Sequence, residues 1–382
     1  MLCFSHDWTG DPLSKTHLMR ILARENRILW VNSIGYRAPN LASKRDLGRI
    51  LRKFRQFAEP IREVEKNIFV LNPIVAPPYN VAFVGALNRT LLRNQVLAAM
   101  RKLRFRDPIN WVFNPAAATV AGDLGESLLI YYCVDEYTAF TGVAAGSLER
   151  LEDRLLDRAD LVVVSADRLM ERKRSKNPNV VLIRHGVDVD HFRRALDSET
   201  VVPREIRDLP RPVIGFFGLL ADWVDVKTMA RVAREFPEGS LVVIGSVTTD
   251  ASELSALPNV HLLGRKPYAD LPAYCKGFDV ALNPFLINEL TLNANPLKVR
   301  EYLAAGLPVV SSAIPEVEAL DACLIGRTPD EFVARVHEAL QRPGPDAVRS
   351  ATMKSESWAA RVETLKDVVA NLPRPRSESS GR

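Results

Sequence analysis

Asp279–Ser312 reads DVALNPFLINELTLNANPLKVREYLAAGLPVVSS and divides into strand, loop, helix and strand. Asp279–Phe285 is a short apolar, β-branched run stopped by Asn283 and Pro284, and Leu307–Ser311 is a second buried-type strand. Between them the spacing predicts a helix with Asn295 as N-cap, Pro296 at its first position and Gly306 in the left-handed position past its end. A helix that begins directly after a strand-end loop turns free N–H groups and a positive dipole end toward that loop, which makes an anion site. Lys298 and Glu301, three apart, share one side of it. An ammonium for a phosphate and a carboxylate for a pair of hydroxyls suit a nucleotide-sugar; a surface ion pair on an ordinary crossover helix would give the same spacing.

The stretch resembles the donor-binding segment of the GT-B glycosyltransferases, in which a glutamate-bearing helix precedes an A-x-G-x-P-V-V run, here Ala304–Val310. In the retaining branch of that fold two glutamates, seven residues apart, flank the donor. Glu301 matches the second, which grips ribose hydroxyls, and the first falls on Asn293, an amide. The resemblance implies an α/β chain of GT-B class, with two Rossmann-like doubly wound domains facing across a cleft.

With 382 residues, 47% hydrophobic and 25% charged, the chain has the composition of a soluble globular protein long enough for two domains. No run of 18 apolar residues is present, and MLCFSHDW lacks a signal-peptide pattern, so a cytoplasmic protein is expected. Cys3, Cys133, Cys275 and Cys323 are scattered without metal-ligand spacing, which argues for reduced packing residues and no metal site. Residues 1–110 hold 19 Lys and Arg against 8 Asp and Glu, a net of +11 within a chain of net +5. Much of that charge lies on two amphipathic stretches, Lys44–Phe57 and Arg89–Arg106. Nucleic-acid motifs are missing, so the expected acidic partner is an anionic membrane surface met by Arg49, Arg52 and Lys53, on the inner face of the plasma membrane.

In chain order, a strand at Leu2–Ser5 leads to a helix expected to start at Asp11 and Pro12. His6 and His17 are candidates for the acceptor side of a cleft at that strand's carboxyl end. The strand Leu128–Val134 ends on Asp135 and Glu136. Asp135 is the first candidate for deprotonating an acceptor hydroxyl, with Glu136 beside it; capping or an ion pair would account for such a position equally well. Arg184–Asp188, RHGVD, resembles the N-G-V-D element that closes the first GT-B domain, with His185 in place of Asn. The divisions that follow are an acceptor-binding domain 1–192, a linker 193–212, a nucleotide-sugar domain 213–356, a helix 357–372 crossing back to the first domain, and a disordered tail 373–382.

Gly218–Lys227 corresponds to the family's phosphate loop, with Leu219 and Val224 where a cationic pair would stand; Asp222, Trp223 and Asp225 resemble a subgroup that builds bacterial surface polysaccharides. Gly218 allows close approach of the donor, and Gly245 is placed near its base or ribose. The resemblance implies transfer from a nucleotide diphosphate-sugar, UDP-linked by expectation, to a hydroxyl of a saccharide or lipid-linked saccharide. No cofactor and no metal are expected. The competing readings are an epimerase of the same fold and a non-catalytic nucleotide-sugar-binding partner.

Overall fold

A computed structural model describes residues 1–33, 61–74, 82–139 and 145–372. The basic stretch 44–57, with Arg49, Arg52 and Lys53, and the tail 373–382 lie outside the described residues.

Short runs such as ILWV, LVVV and SLVVI, apolar on both faces, make strands that must be covered on both sides, the signature of parallel sheets. The first sheet holds β1 (Leu2–Phe4), β2 (Ile28–Val31), β3 (Ile61–Glu65), β4 (Ile68–Leu71), β5 (Ile109–Val112), β6 (Leu128–Cys133), β7 (Leu161–Val164) and β8 (Val180–Leu182). Their order is β3-β4-β2-β1-β5-β6-β7-β8, parallel throughout except for the β3–β4 pair. The second sheet holds β9 (Val213–Phe217), β10 (Ser240–Ile244), β11 (Val260–Gly264), β12 (Val280–Asn283), β13 (Val309–Ser312) and β14 (Leu324–Gly326). It is wholly parallel in the order β11-β10-β9-β12-β13-β14. Chain direction across each sheet reverses at β1/β5 and at β9/β12, and ligands of open α/β sheets bind beyond the carboxyl ends of the strands at such points.

Each sheet is packed on both faces. Leu18, Met19 and Leu22 of the Ser14–Leu22 helix cover one face of the first, and Val362 and Leu365 of the last helix, Trp358–Ala370, join the same cluster. Gly186 lets that helix in: a Cβ there would lie 2.7 Å from the Trp358 backbone nitrogen. Residues of the 193–212 segment pack onto the second sheet's domain, with Ile206 fully buried beside Gly277.

Two expected helix starts are corrected. The first helix begins at Ser14 after Leu13, not at Asp11 and Pro12, and Asp11 instead pairs with Arg265 of the second domain at 3.0 Å. The helix after β12 spans Leu297–Ala304 with Pro296 at its N-cap and no side-chain cap. Asn295 is buried and used elsewhere. It donates from Nδ2 to the Ser165 carbonyl (2.8 Å), accepts at Oδ1 from Arg300 (2.5 Å), and its carbonyl lies 2.9 Å from His185 Nδ1. A buried amide is best satisfied by several partners, and tying the two domains together satisfies more of its groups than a cap would. Gly306 has φ +84°, the left-handed helix end expected of it.

Candidate active site

The β9/β12 switch point gathers Gly218, Lys298 and Glu301. Gly218, directly after β9, has φ +130°, and a Cβ there would stand 2.7 Å from Lys298 Nζ. The Lys298 ammonium lies 4.1 Å from the Phe216 ring centroid and 4.9 Å from that of Phe285. Among the described residues no carboxylate comes within ion-pair distance of it, so Lys298 and Glu301 are not the surface pair that their spacing allowed. Burial lowers the Lys298 pKa to about 7, against the pull of Glu301. Burial likewise lifts the Glu301 carboxyl to about 8; Lys298 draws it down while Asp188 and Asp11 push it up.

Asn293 follows the short Glu289–Leu292 helix and is buried. Its Nδ2 donates to the Glu289 carbonyl at 2.7 Å, and its Oδ1 has no hydrogen-bond partner among the described residues. An orphaned buried acceptor is costly, and an incoming hydroxyl would relieve it. Gly245 has φ +146°, and a Cβ on it would lie 1.8 Å from the Gly218 carbonyl oxygen. It lets β10's end pack against the Gly218 turn. Of the two loop positions where cations were sought, Leu219 is exposed and Val224 is buried, bridged to Phe285. Asp225 caps the Val226–Glu235 helix, accepting from Thr228 N (3.0 Å) and Thr228 Oγ1 (2.7 Å).

Across the cleft, Asp135 follows β6 and is half-buried. Burial raises its pKa, opposed by Lys15 in the first turn of the Ser14–Leu22 helix. Lys15 is lowered by burial and raised by Asp135, and it also depresses His6. Lys15 therefore belongs with this group, although an isolated lysine at a helix start gave no sequence signal. His6 is held with Nδ1 3.0 Å from Ser5 Oγ and its ring edge-on to Trp30; burial lowers its pKa to about 3.

His17 and Glu136, named as acceptor-side candidates, each have partners of their own. The His17 ring stacks on Trp358 at 5.8 Å and lies 5.8 Å from Tyr268, serving as packing surface where the domains and the last helix meet. Glu136 is buried in an ion cluster, 3.3 Å from Lys173 and 3.5 Å from Arg172, and Arg172 also reaches Glu289 of the second domain at 2.7 Å.

Residues 211–342 match the family model described as Glycosyl transferases group 1. A Bacillus subtilis protein named "Putative teichuronic acid biosynthesis glycosyltransferase TuaH" is 25% identical over 230 residues, 55% of this chain and 57% of that relative, so the match spans little more than half of it. Among solved structures, sucrose-phosphate synthase from Thermosynechococcus elongatus superimposes with a TM-score of 0.71 at 13% identity, over 97% of this chain and 98% of that one. The Anabaena protein HepE, in complex with UDP-glucose, gives 0.62 at 15% identity over 97% and 98%. Both likenesses are of fold.

Proposed function

From a chain of GT-B fold whose residues 211–342 carry the group 1 glycosyl transferase match, we propose a glycosyltransferase that moves a sugar from a nucleotide diphosphate-sugar to an acceptor hydroxyl. The observation that carries this reading is the unpaired Lys298 ammonium set against Gly218 at the β9/β12 switch point, one helical turn from Glu301. The donor is UDP-linked in this reading, supported by the UDP-glucose complex of HepE. Its diphosphate meets Lys298 and the uncapped start of the Leu297–Ala304 helix; its ribose hydroxyls donate to Glu301; a sugar hydroxyl donates to Asn293 Oδ1. Asp135 takes the proton of the attacking hydroxyl. The bond from the anomeric carbon to the diphosphate breaks as the new glycosidic bond forms, and the charge left on UDP is stabilised by Lys298 and the helix end, without a metal.

Glu301→Gln tests the donor site. Because burial lifts this carboxyl to about 8, it meets the ribose at neutral pH largely as the neutral acid; exchanging it for an amide costs about 0.5–1.5 kcal/mol, so UDP should bind about 2- to 10-fold more weakly by calorimetry in EDTA. Stability should change by less than about 1 kcal/mol, since no ion pair is lost. An unaltered affinity in a well-folded variant refutes the assignment. Release of UDP from a UDP-sugar only when an acceptor is present separates transfer from epimerisation.

The acceptor in this proposal is lipid-linked, and the basic first 110 residues hold the enzyme to an anionic bilayer. Among the described residues no helix is long and apolar enough to cross a membrane. Each Lys or Arg near such a surface contributes about 1 kcal/mol, so five or six suffice for reversible attachment. In liposome flotation, binding should require anionic lipid, fall with salt and drop on changing Arg49, Arg52 and Lys53 to Glu. Equal recovery on neutral and anionic vesicles rules this out.

A further inference from the structure

We infer that Phe216 and Phe285 form a two-ring seat that holds the Lys298 ammonium against the bare Cα of Gly218, making them positioning residues for the donor's diphosphate. The inference rests on the donor-site reading above. Both rings come from the two strand ends that define the switch point: Phe216 lies within β9, and Phe285 lies two residues past β12. Phe216 is fully buried and Phe285 is 8% exposed, so neither ring can swing away without opening the core.

The Phe285 strap is fixed to the loop that would cradle the phosphates. Asp225 N donates to the Pro284 carbonyl at 2.7 Å and Leu286 N to the Trp223 carbonyl at 2.9 Å, while Val224 bridges Phe285. A flexible lysine would otherwise lose considerable entropy on binding. Here its reach is set beforehand by two ring faces and a glycine.

The charged surroundings of Lys298 are sparse. Glu301 on its own helix raises its pKa, while Phe216 and Gly218 on the β9 side and Pro284–Leu286 carry no charge. Asp225 in the facing loop is turned to Thr228. A half-buried ammonium without a carboxylate is left to the ring faces for compensation, and its lowered pKa, about 7, agrees with partial compensation only. A diphosphate arriving over Gly218 supplies the missing anion.

The experiment is competitive acetylation of the full chain with trace acetic anhydride from pH 6 to 11, read lysine by lysine by mass spectrometry, with and without UDP. Lys298 should label with a midpoint near 7, far below solvated lysines near ~10.4. Phe285→Leu keeps an apolar wall and removes a ring face. It should lower the protonation constant of Lys298 by about 2- to 30-fold, with UDP binding weakened in the same range, and Phe285→Trp should restore both. A purely packing role leaves the midpoint unmoved by Leu. If Phe285→Leu does not fold, the Trp variant still decides: its ring face should hold the Lys298 midpoint at or above that of wild type, and a midpoint that falls in the Trp variant overturns the seat. A low midpoint shifted by the ring variants, with no protection by UDP, keeps the seat and refutes the donor reading instead.

Discussion

Asp135→Asn should lose on the order of 10²–10⁴ in turnover while UDP binds as in wild type. The reason is division of labour across the cleft. The donor residues belong to the second sheet, and Asp135 stands at the end of β6 in the first. Its surroundings fit a base: half-buried, near Lys15, and with its pKa raised by burial against the pull of that lysine. The working form is the carboxylate, so turnover falls as pH drops through this pKa. Because the shift is upward from 3.8, that acid limb lies at higher pH than a solvated aspartate would give. The limb should vanish in the Asn variant. UDP release from a UDP-sugar, followed from pH 4 to 8 with an acceptor that supports turnover, measures both effects. An Asn variant that keeps wild-type turnover shifts the role to His6 or Lys15, since Glu136 is held by Lys173 and Arg172.

What the sequence revealed and what it hid follow from the range of the interactions. The doubly wound sheets were legible because buried parallel strands must be written as continuous apolar runs, and each of ILWV, LVVV, VIGFF and SLVVI is such a run. The turn glycines Gly218 and Gly306 were legible because positive φ selects glycine locally. Asn295 misled because an amide before a proline is the ordinary N-cap signal, whereas its partners, Ser165 and His185, lie more than a hundred residues away in the chain. Phe285 reads as the end of a strand run, and both it and Phe216 do pack the core. Nothing local distinguishes a ring that packs from a ring that faces a lysine thirteen or more positions on. Glu136 and His17 share the same difficulty, since strand-end and helix-start positions told where they stand but not what Arg172, Lys173, Trp358 and Tyr268 would bring to them.

Arg300→Met should destabilise the fold by about 3 kcal/mol, the low end of the cost of stripping one partner from a buried ionic network. Arg300 is 2% exposed and follows Lys298 on the donor helix, pointing away from the site. It donates from Nε to Glu356 at 3.1 Å and from Nη1 to Asn295 Oδ1 at 2.5 Å. Without it Asn295 keeps its tie to Ser165 but has an unfilled buried acceptor, and Glu356 keeps Arg361 alone. Burial pushes the Glu356 carboxyl up, yet Arg361 and Arg300 outweigh it and hold the pKa below 4.5. A depressed acid contributes stability at pH above its unfolded value and loses it as pH falls through the folded one. The wild-type midpoint in urea should therefore drop below about pH 4.5, and the Met variant should show a smaller acid loss from a lower starting stability. UDP affinity tells the network's purpose. If the arginine only stabilises the junction, binding survives in the folded variant. If it also sets the donor helix through Asn295, binding weakens although Lys298 and Glu301 are intact. A loss of less than about 1 kcal/mol with unchanged binding would mean that water satisfies Asn295 and Glu356 as well as the guanidinium does.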